Sequence, residues 1–283
     1  MTTLTENSVS GIDDQRNNTN TTHLVALDVD GTLVDHDGHM SEAVREAARR
    51  TVAAGHHVII ATGRSLGAML PVIEQIGLER GYGVCSNGGV TIRLDPSLDL
   101  GYEVIDRETF DPAPALATLR DRVPGARYAL EDEDGNFLST ERFQDSSFGI
   151  EAQGVDFHQL MNTRAVRVVV NSVDASTEEF TAAVANCGLQ GVAYSVGWTA
   201  WLDIAAAGVT KATALEKLRQ RLDVHPYLTV AVGDGGNDLE MLAWAGRGVA
   251  MGQADDYVKA AANEVTASVY DDGAAHVLRS LLP

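Results

Sequence analysis

Cysteine is nearly absent from this chain. Cys85 and Cys187 are the two found in 283 residues. No disulfide framework can be built from them, and a reducing cytoplasm suits their number. Both read as small core residues rather than reactive thiols. No run of 18 apolar residues occurs, so no membrane span is expected. The first 22 residues are polar, rich in Thr and Asn, and lack the apolar stretch of a signal peptide. They read as a disordered tail, and a cytoplasmic protein is the expectation. Positive charge is scarce as well: 21 Lys and Arg stand against 40 Asp and Glu, a net charge of −19. That argues against a nucleic-acid partner, which wants a basic face. No internal repeat stands out.

Against these absences one segment is conspicuous. The apolar run Leu24-Val25-Ala26-Leu27 reads as a buried parallel strand, and Asp28-Val29-Asp30-Gly31-Thr32-Leu33 follows it. Side chains two apart share a strand face, so Asp28 and Asp30 are expected to converge. Converging carboxylates repel unless a cation or a shared proton relieves them. The pair suits a metal site holding a nucleophile and an acid/base. The alternative is an Asp-rich turn with a capping aspartate.

Three further segments occupy similar places. Ala61-Thr62-Gly63-Arg64 follows the run His57-Val58-Ile59-Ile60. Lys211 opens the helical stretch Thr210–Leu222, and Gly233-Asp234-Gly235-Gly236-Asn237-Asp238 follows Leu228–Val232. Each stands at a strand end or a helix start, where open α/β sheets place their ligands.

Strand and helix signals alternate from residue 23. Ser41 is a candidate N-cap for a helix over Glu42–Ala54 that stops at Gly55. His57–Ala61 reads as a strand, Ser65–Gly77 as a helix kinked or interrupted at Pro71, and Tyr82–Ser86 as a third strand. Apolar strands separated by helices predict the α/β class, with a doubly wound parallel sheet. After about residue 94 the pattern shifts to acidic turns and alternating strands. Tyr128–Leu130 and Asn136–Ser139 flank a hairpin-like turn, Ala165–Val170 is a strong strand, and Thr177–Cys187 a helix. From Trp201 the strand–helix alternation resumes. The expected organisation is a tail over 1–22, a core built from 23–94 and 197–283, and a separate α+β domain inserted over 95–196.

Taken together and in order, the four motifs resemble those of the haloacid dehalogenase superfamily of phosphatases. The finer match is to the Cof-type, subfamily IIB, sugar-phosphatase branch, across residues 23–94 and 198–281. The resemblance implies a Rossmann-like core, with the insertion acting as a mobile cap over the active site; the other reading of that insertion is an independent regulatory module. It implies a Mg²⁺-dependent phosphatase acting on small phosphorylated metabolites, sugar phosphates foremost, with a phosphorylated cofactor as a second possibility. By resemblance Asp28 is the nucleophile and forms an aspartyl-phosphate, while Asp30 protonates the leaving group and then activates water. Mg²⁺ is assigned to Asp28, Asp234 and the backbone carbonyl of Asp30. Asp238 either supports the metal shell, fixes the loop or caps a helix.

Phosphate esters need charge neutralisation and an in-line nucleophile. In so acidic a chain, Mg²⁺, Lys211 and Arg64 are the candidate local cations. Thr62 is a hydroxyl donor to phosphate or a helix N-cap. Arg64 is a phosphate clamp or a surface ion-pair partner, and Gly63 belongs to the same phosphate loop. Asn237 is a further donor. Asn87-Gly88-Gly89 resembles the family's turn near the cap hinge, where Asn87 contacts substrate or merely forms a turn. Asp203 precedes the third motif and has no assigned role. Trp198 and Trp201 read as packing residues, and His36, His39, His56, His57 and His158 lack metal-ligand spacing. A phosphosugar mutase uses the same Asp pair. A catalytically silent binding or regulatory protein is a different class, marked by loss of the nucleophile, the second Asp or the lysine, and all three are present. Oligomeric state is not legible.

Overall fold

The computed structural model describes residues 22–123, 125–141, 151–172, 174–196 and 200–283. The tail expected over 1–22 lies almost wholly outside them, as does Trp198. The chain begins with β1 (Leu24–Leu27), α1 (Glu42–Ala53), β2 (His57–Ala61), α2 (Leu66–Ile76), β3 (Gly81–Cys85), β4 (Val90–Leu94) and β5 (Tyr102–Arg107). A second group follows: α3 (Ala113–Arg122), β6 (Arg127–Asp132), β7 (Phe137–Ser139), β8 (Gln153–Gly154), α4 (Phe157–Met161), β9 (Ala165–Asn171), α5 (Thr177–Cys187), β10 (Val192–Val196) and β11 (Trp201–Ala206). The chain closes with α6 (Lys211–Arg221), β12 (Thr229–Gly233), α7 (Leu239–Trp244), β13 (Arg247–Ala250), α8 (Asp256–Lys259), β14 (Glu264–Val265) and α9 (Gly273–Arg279).

The first sheet has the order β14-β13-β12-β1-β2-β3-β4-β5. Six strands, from β14 to β3, run parallel, and β4 and β5 add an antiparallel edge. Strand β1 alternates its faces as period two requires. Val25 and Leu27 join Val44 and Ala47 of α1, Met69 of α2 and Val277 of α9. Leu24 and Ala26 face the other way, onto Leu215 and Leu218 of α6 and Met241 of α7. With both faces covered, every residue of β1 is buried, which is why its sequence is an unbroken apolar run. The helices start where short polar side chains satisfy free amides. Ser41 Oγ accepts from Val44 N and Ser65 Oγ from Ala68 N. Helix α2 runs unbroken through Pro71 to Gly77, which ends it in the left-handed conformation.

The second sheet has the order β10-β11-β9-β6-β7-β8 and is antiparallel apart from the β7–β8 pair. Helices α3, α4 and α5 cover one face: Leu116, Leu119, Leu160 and Phe180 pack on Leu130, Val168, Val170, Leu202 and Ile204. Strand pairing crosses the expected boundaries at 94 and 197. The shift at residue 94 marks only the turn between β4 and β5, since β5 stays hydrogen-bonded in the first sheet. Likewise β11 pairs with β9 and β10, so the chain leaves the second sheet after Ala206. Hairpin hydrogen bonds, which composition does not report, decide both crossings.

The two sheets meet at a tight turn. Ser86 and Asn87 take positive φ, 50° and 53°, and Gly88 follows at 100°. Left-handed backbone costs a non-glycine residue about 1 kcal/mol or more, so the turn is held by its surroundings. Ser86 N donates to the Arg64 carbonyl and Asn87 N to that of Thr62. Ser86 Oγ donates at 2.5 Å to Oε2 of Glu131, a buried carboxyl on β6. Burial pushes the Glu131 carboxyl above its ordinary value of 4.5, against the opposing pull of Ser86, Arg167 and Arg107. A carboxyl raised in the folded state lends most stability below its unfolded pKa, and loses it as pH rises through the folded one. Glu131→Gln keeps an acceptor for Ser86 but does not titrate. Urea unfolding from pH 4 to pH 8 should show the variant gaining on the native protein as pH rises, then levelling off. A stability difference constant across that range would refute this account of Glu131.

Candidate active site

Strand β1 lies between β2 and β12, and the chain winds away from it in both directions. Such a switch point leaves a crevice beyond the strand ends. Leu27 is in register with Val232, and Asp28 N donates to the Val232 carbonyl. Asp28 and Asp234 therefore leave neighbouring strands side by side.

The expected convergence of Asp28 and Asp30 on one strand face is corrected by the backbone. Regular strand ends at Leu27 and the chain curls at once, with Leu33 N and Val34 N both donating to the Val29 carbonyl. Asp28 points inward and is buried, whereas the Asp30 side chain is 63 % exposed. Asp30 is held instead by Arg64, whose Nε and Nη2 bond its two carboxylate oxygens at 3.0 and 2.6 Å. Both aspartates still line one cleft of about 520 Å³, together with Gly63, Arg64, Asp234 and Asn237. Gly31 sits in the curl at φ 77°, and a β-carbon there would overlap the Asp234 carboxylate. Glycine is needed here for both reasons.

The cluster itself is Asp28, Asp234 and Asp238, each offering an oxygen within 4.8 Å of the others. Asp30, assigned to the metal group from the motif, has its carboxylate outside this trio because Arg64 draws it away. Lys211 Nζ sits among the carboxylates, 2.6 Å from Asp28 Oδ1 and 2.7 Å from Asp238 Oδ1. Its placement runs against local preference, since a cation at a helix N-terminus opposes the helix dipole. Thr210 caps that helix by accepting from Thr213 N. Gly88 lets it come close, because a β-carbon at Gly88 would overlap the Thr210 carbonyl.

One ammonium does not neutralise three carboxylates. Burial and the Asp238 charge push Asp28 well above the usual carboxylate range, with Lys211 pulling against them. Burial and Asp238 likewise raise Asp234, to about 7. Burial alone would lower the Lys211 pKa, but Asp238 and Asp28 outweigh it and hold the ammonium charged. The surplus negative charge calls for a cation, and the all-oxygen donor set fits a hard divalent ion such as Mg²⁺. Asp28 and Asp234 are the two of the trio that could hold such an ion directly. Asp238 is already engaged, with Oδ1 on Lys211 and Oδ2 accepting from the amides of Asp234 and Gly235. Its work is to fix the loop and the lysine.

The phosphate-loop candidates gather at the same crevice. Thr62 is buried and its hydroxyl accepts from Arg64 N, while Ser65 takes the N-cap role considered for Thr62. Asn237 Nδ2 donates to Asn87 Oδ1 at 2.9 Å, joining the loop after β12 to the Ser86–Gly88 turn. Several residues here had no motif to announce them. Gln253 Nε2 donates to the Gly31 carbonyl and to Asp234 Oδ2, tying the two acidic loops together. Arg167 lines the cleft from β9 and is buried, and the available signal was its being the sole charge in the run Ala165–Val170. Asp203 lines the cleft from β11. Trp201, half-buried against the second sheet as a packing residue should be, also donates its indole N–H to Asp203.

The ion pairs of Lys211 and of Arg64 differ sharply in burial. Removing Lys211 leaves two carboxylates uncompensated in the interior, so Lys211→Ala should cost about 3–5 kcal/mol. Arg64→Ala opens a pair whose carboxylate is mostly in water and should cost about 1 kcal/mol or less. Chemical denaturation of the two variants side by side measures this. Equal losses would mean that the buried lysine does not hold the site together.

Comparison with known proteins agrees with this geometry over nearly the whole chain. The family model for haloacid dehalogenase-like hydrolases matches residues 25–278. The chain is 30 % identical over 281 residues to pyridoxal phosphate phosphatase YbhA of Escherichia coli (strain K12), covering 93 % of this chain and 99 % of that protein. It is 26 % identical over 269 residues to 5-amino-6-(5-phospho-D-ribitylamino)uracil phosphatase YitU of Bacillus subtilis (strain 168), covering 91 % and 96 %. The solved structure of the subclass IIB sugar phosphatase BT4131 superposes with a TM-score of 0.76 at 25 % identity, over 92 % of this chain and 98 % of that one. With the motif residues gathered at one switch point and the family model spanning both sheets, the chain belongs to the haloacid dehalogenase-like hydrolase family.

Proposed function

We propose that this protein, a phosphatase of its family, hydrolyses phosphate monoesters of small metabolites, sugar phosphates foremost, with Mg²⁺ and through an aspartyl-phosphate on Asp28. The observation that carries the reading is the Asp28 carboxylate: buried, tethered through Oδ1 to Lys211, and open to the same cleft as Asp30. A carboxylate held at one oxygen can attack with the other without reorienting, which removes part of the entropic barrier. Asp28 attacks phosphorus, and the bond from phosphorus to the leaving oxygen breaks. Asp30, at the cleft mouth, gives that oxygen a proton. Water then attacks the acyl phosphate, surrenders a proton to Asp30, and inorganic phosphate leaves with Asp28 restored.

Lys211, Thr62 and the Asn237 loop supply the charge and donors that a phosphoryl group in transfer requires. Mg²⁺ held by Asp28, Asp234 and the Asp30 carbonyl would screen the repulsion between phosphate and the aspartates. The second sheet, which lends Arg167 and Asp203 to the crevice lining, would serve as a cap that excludes water when closed. Named activities of relatives favour small phosphorylated metabolites: a sugar phosphate, pyridoxal phosphate and a phosphoribityl compound. Two free cysteines, one of them buried, suit a cytoplasmic setting. Among the described residues no helix is long and apolar enough to cross a membrane.

Phosphate release from a panel of sugar and cofactor phosphates, with Mg²⁺ and with a chelator, tests the reading beside Asp28→Asn. Turnover should require the metal and fall by roughly 10³-fold or more in the variant. Turnover that survives Asp28→Asn would end the covalent mechanism. A requirement for a bisphosphate activator would replace the phosphatase by a mutase.

A further inference from the structure

The face of the second sheet opposite its helices carries a stripe of charge. Glu131 on β6 is in register with Arg167 on β9, and Asp203 on β11 stands opposite Val169, two residues along. On each strand the neighbours in sequence, such as Leu130, Val168 and Ile204, turn to the helices. Arg167 and Asp203 line the cleft that holds Asp28.

Asp203 is unusually well fixed for a residue on a cleft wall. Arg167 Nε donates to its Oδ1 at 2.5 Å and Trp201 Nε1 to its Oδ2 at 3.0 Å. Its side chain is 17 % exposed and that of Arg167 3 %. A carboxylate oxygen can take a second hydrogen bond, so each of these has capacity left. Ser195, paired opposite Asp203 on β10, adds a hydroxyl to the same wall. A carboxylate accepts and never donates, so it selects groups that carry O–H or N–H.

The charge of the cleft points the same way. Its described lining carries five aspartates against two arginines, and both arginines are ion-paired, Arg64 with Asp30 and Arg167 with Asp203. Lys211, the remaining cation nearby, is already bonded to Asp28 and Asp238. A second anion on the leaving group would enter a lining that also holds Asp203 and Asp255.

We propose that Asp203 is a specificity-determining residue: it accepts hydrogen bonds from the leaving group's hydroxyls and selects phosphate esters of neutral polyols over those bearing a second anion. This rests on the phosphatase reading above and narrows its substrate class. Arg167 and Trp201 act through Asp203 as positioning residues. A site that must hydrogen-bond a hydroxyl discriminates strongly against analogues that lack it, because its own polar group is then left unmatched.

The test compares sorbitol 6-phosphate with 6-phosphogluconate, which differ only in a terminal CH₂OH against a carboxylate. The readout is the ratio of their kcat/KM values in the native enzyme and in Asp203→Asn, with p-nitrophenyl phosphate reporting the phosphoryl-transfer centre separately. The ratio should favour the polyol by about tenfold or more and fall toward unity in the variant. A native ratio near or below one, or a ratio unchanged in Asp203→Asn, overturns the proposal. So does hydrolysis of p-nitrophenyl phosphate with neither ester turned over, an outcome that leaves the phosphatase reading standing. Inactivity toward all three in the presence of Mg²⁺ would instead overturn that reading, and the proposal with it. Should Asp203→Asn fail to fold, Trp201→Phe removes one donor that orients the carboxylate and should lower the ratio in the same direction.

Discussion

The ammonium of Lys211, buried between Asp28 and Asp238, is the contact on which this architecture turns. Those three groups come from the end of β1, the start of α6 and the loop after β12, and Asp28 and Lys211 are 183 residues apart in the chain. No one of them is tolerable in the interior alone, since an isolated buried charge costs several kcal/mol. Together they still leave negative charge in surplus, and the raised pKa values of Asp28 and Asp234 express it. The site is therefore poised to take up positive charge. That is a cost to the resting protein, and one that a hard cation held there would relieve.

Close approach of backbone to side chain makes this geometry possible. Gly31 clears the Asp234 carboxylate and Gly88 clears the Thr210 carbonyl that precedes Lys211. The turn containing Gly88 also carries Ser86, whose hydroxyl reaches Glu131 in the second sheet. Thus the turn that lies against the start of the lysine's helix also contacts the second sheet. The next residue of that turn, Asn87, accepts from Asn237 in the loop after β12.

The second sheet contributes by alternation. Its strands bury one face under helices and turn the other to the crevice, so residues two apart share a task. Glu131, Arg167 and Asp203 form a polar stripe across three adjacent strands on the crevice side. The first sheet supplies the carboxylate cluster at the switch point, and the second supplies the stripe on the cleft wall. Function in such folds resides in the site rather than in the architecture.

Much of the catalytic core was legible in the sequence because its signals are local. An apolar run closed by Asp28, a Ser or Thr beside the first turn of α1, α2 and α6, and a Gly-rich loop holding Asp234 each follow from a few neighbouring residues. Strand pairing was not local, and so each sheet reaches past the expected boundaries at 94 and 197: β5 and β11 belong to the sheets they bond with, not to the composition around them. The curl after Leu27 likewise sent Asp30 to Arg64 instead of to Asp28, because hydrogen bonds across the turn, not strand periodicity, set its direction. Arg167 and Asp203 lie 36 residues apart, with β10 between them in the chain, and only sheet register brings them together. The sequence by itself determined the motif residues that gather at the switch point, Asp28, Lys211 and Asp234 among them, because each motif is a fixed set of types at fixed spacing. Tertiary structure alone decided what the cleft wall presents to the leaving group, since that depends on which strands pair and which face turns inward.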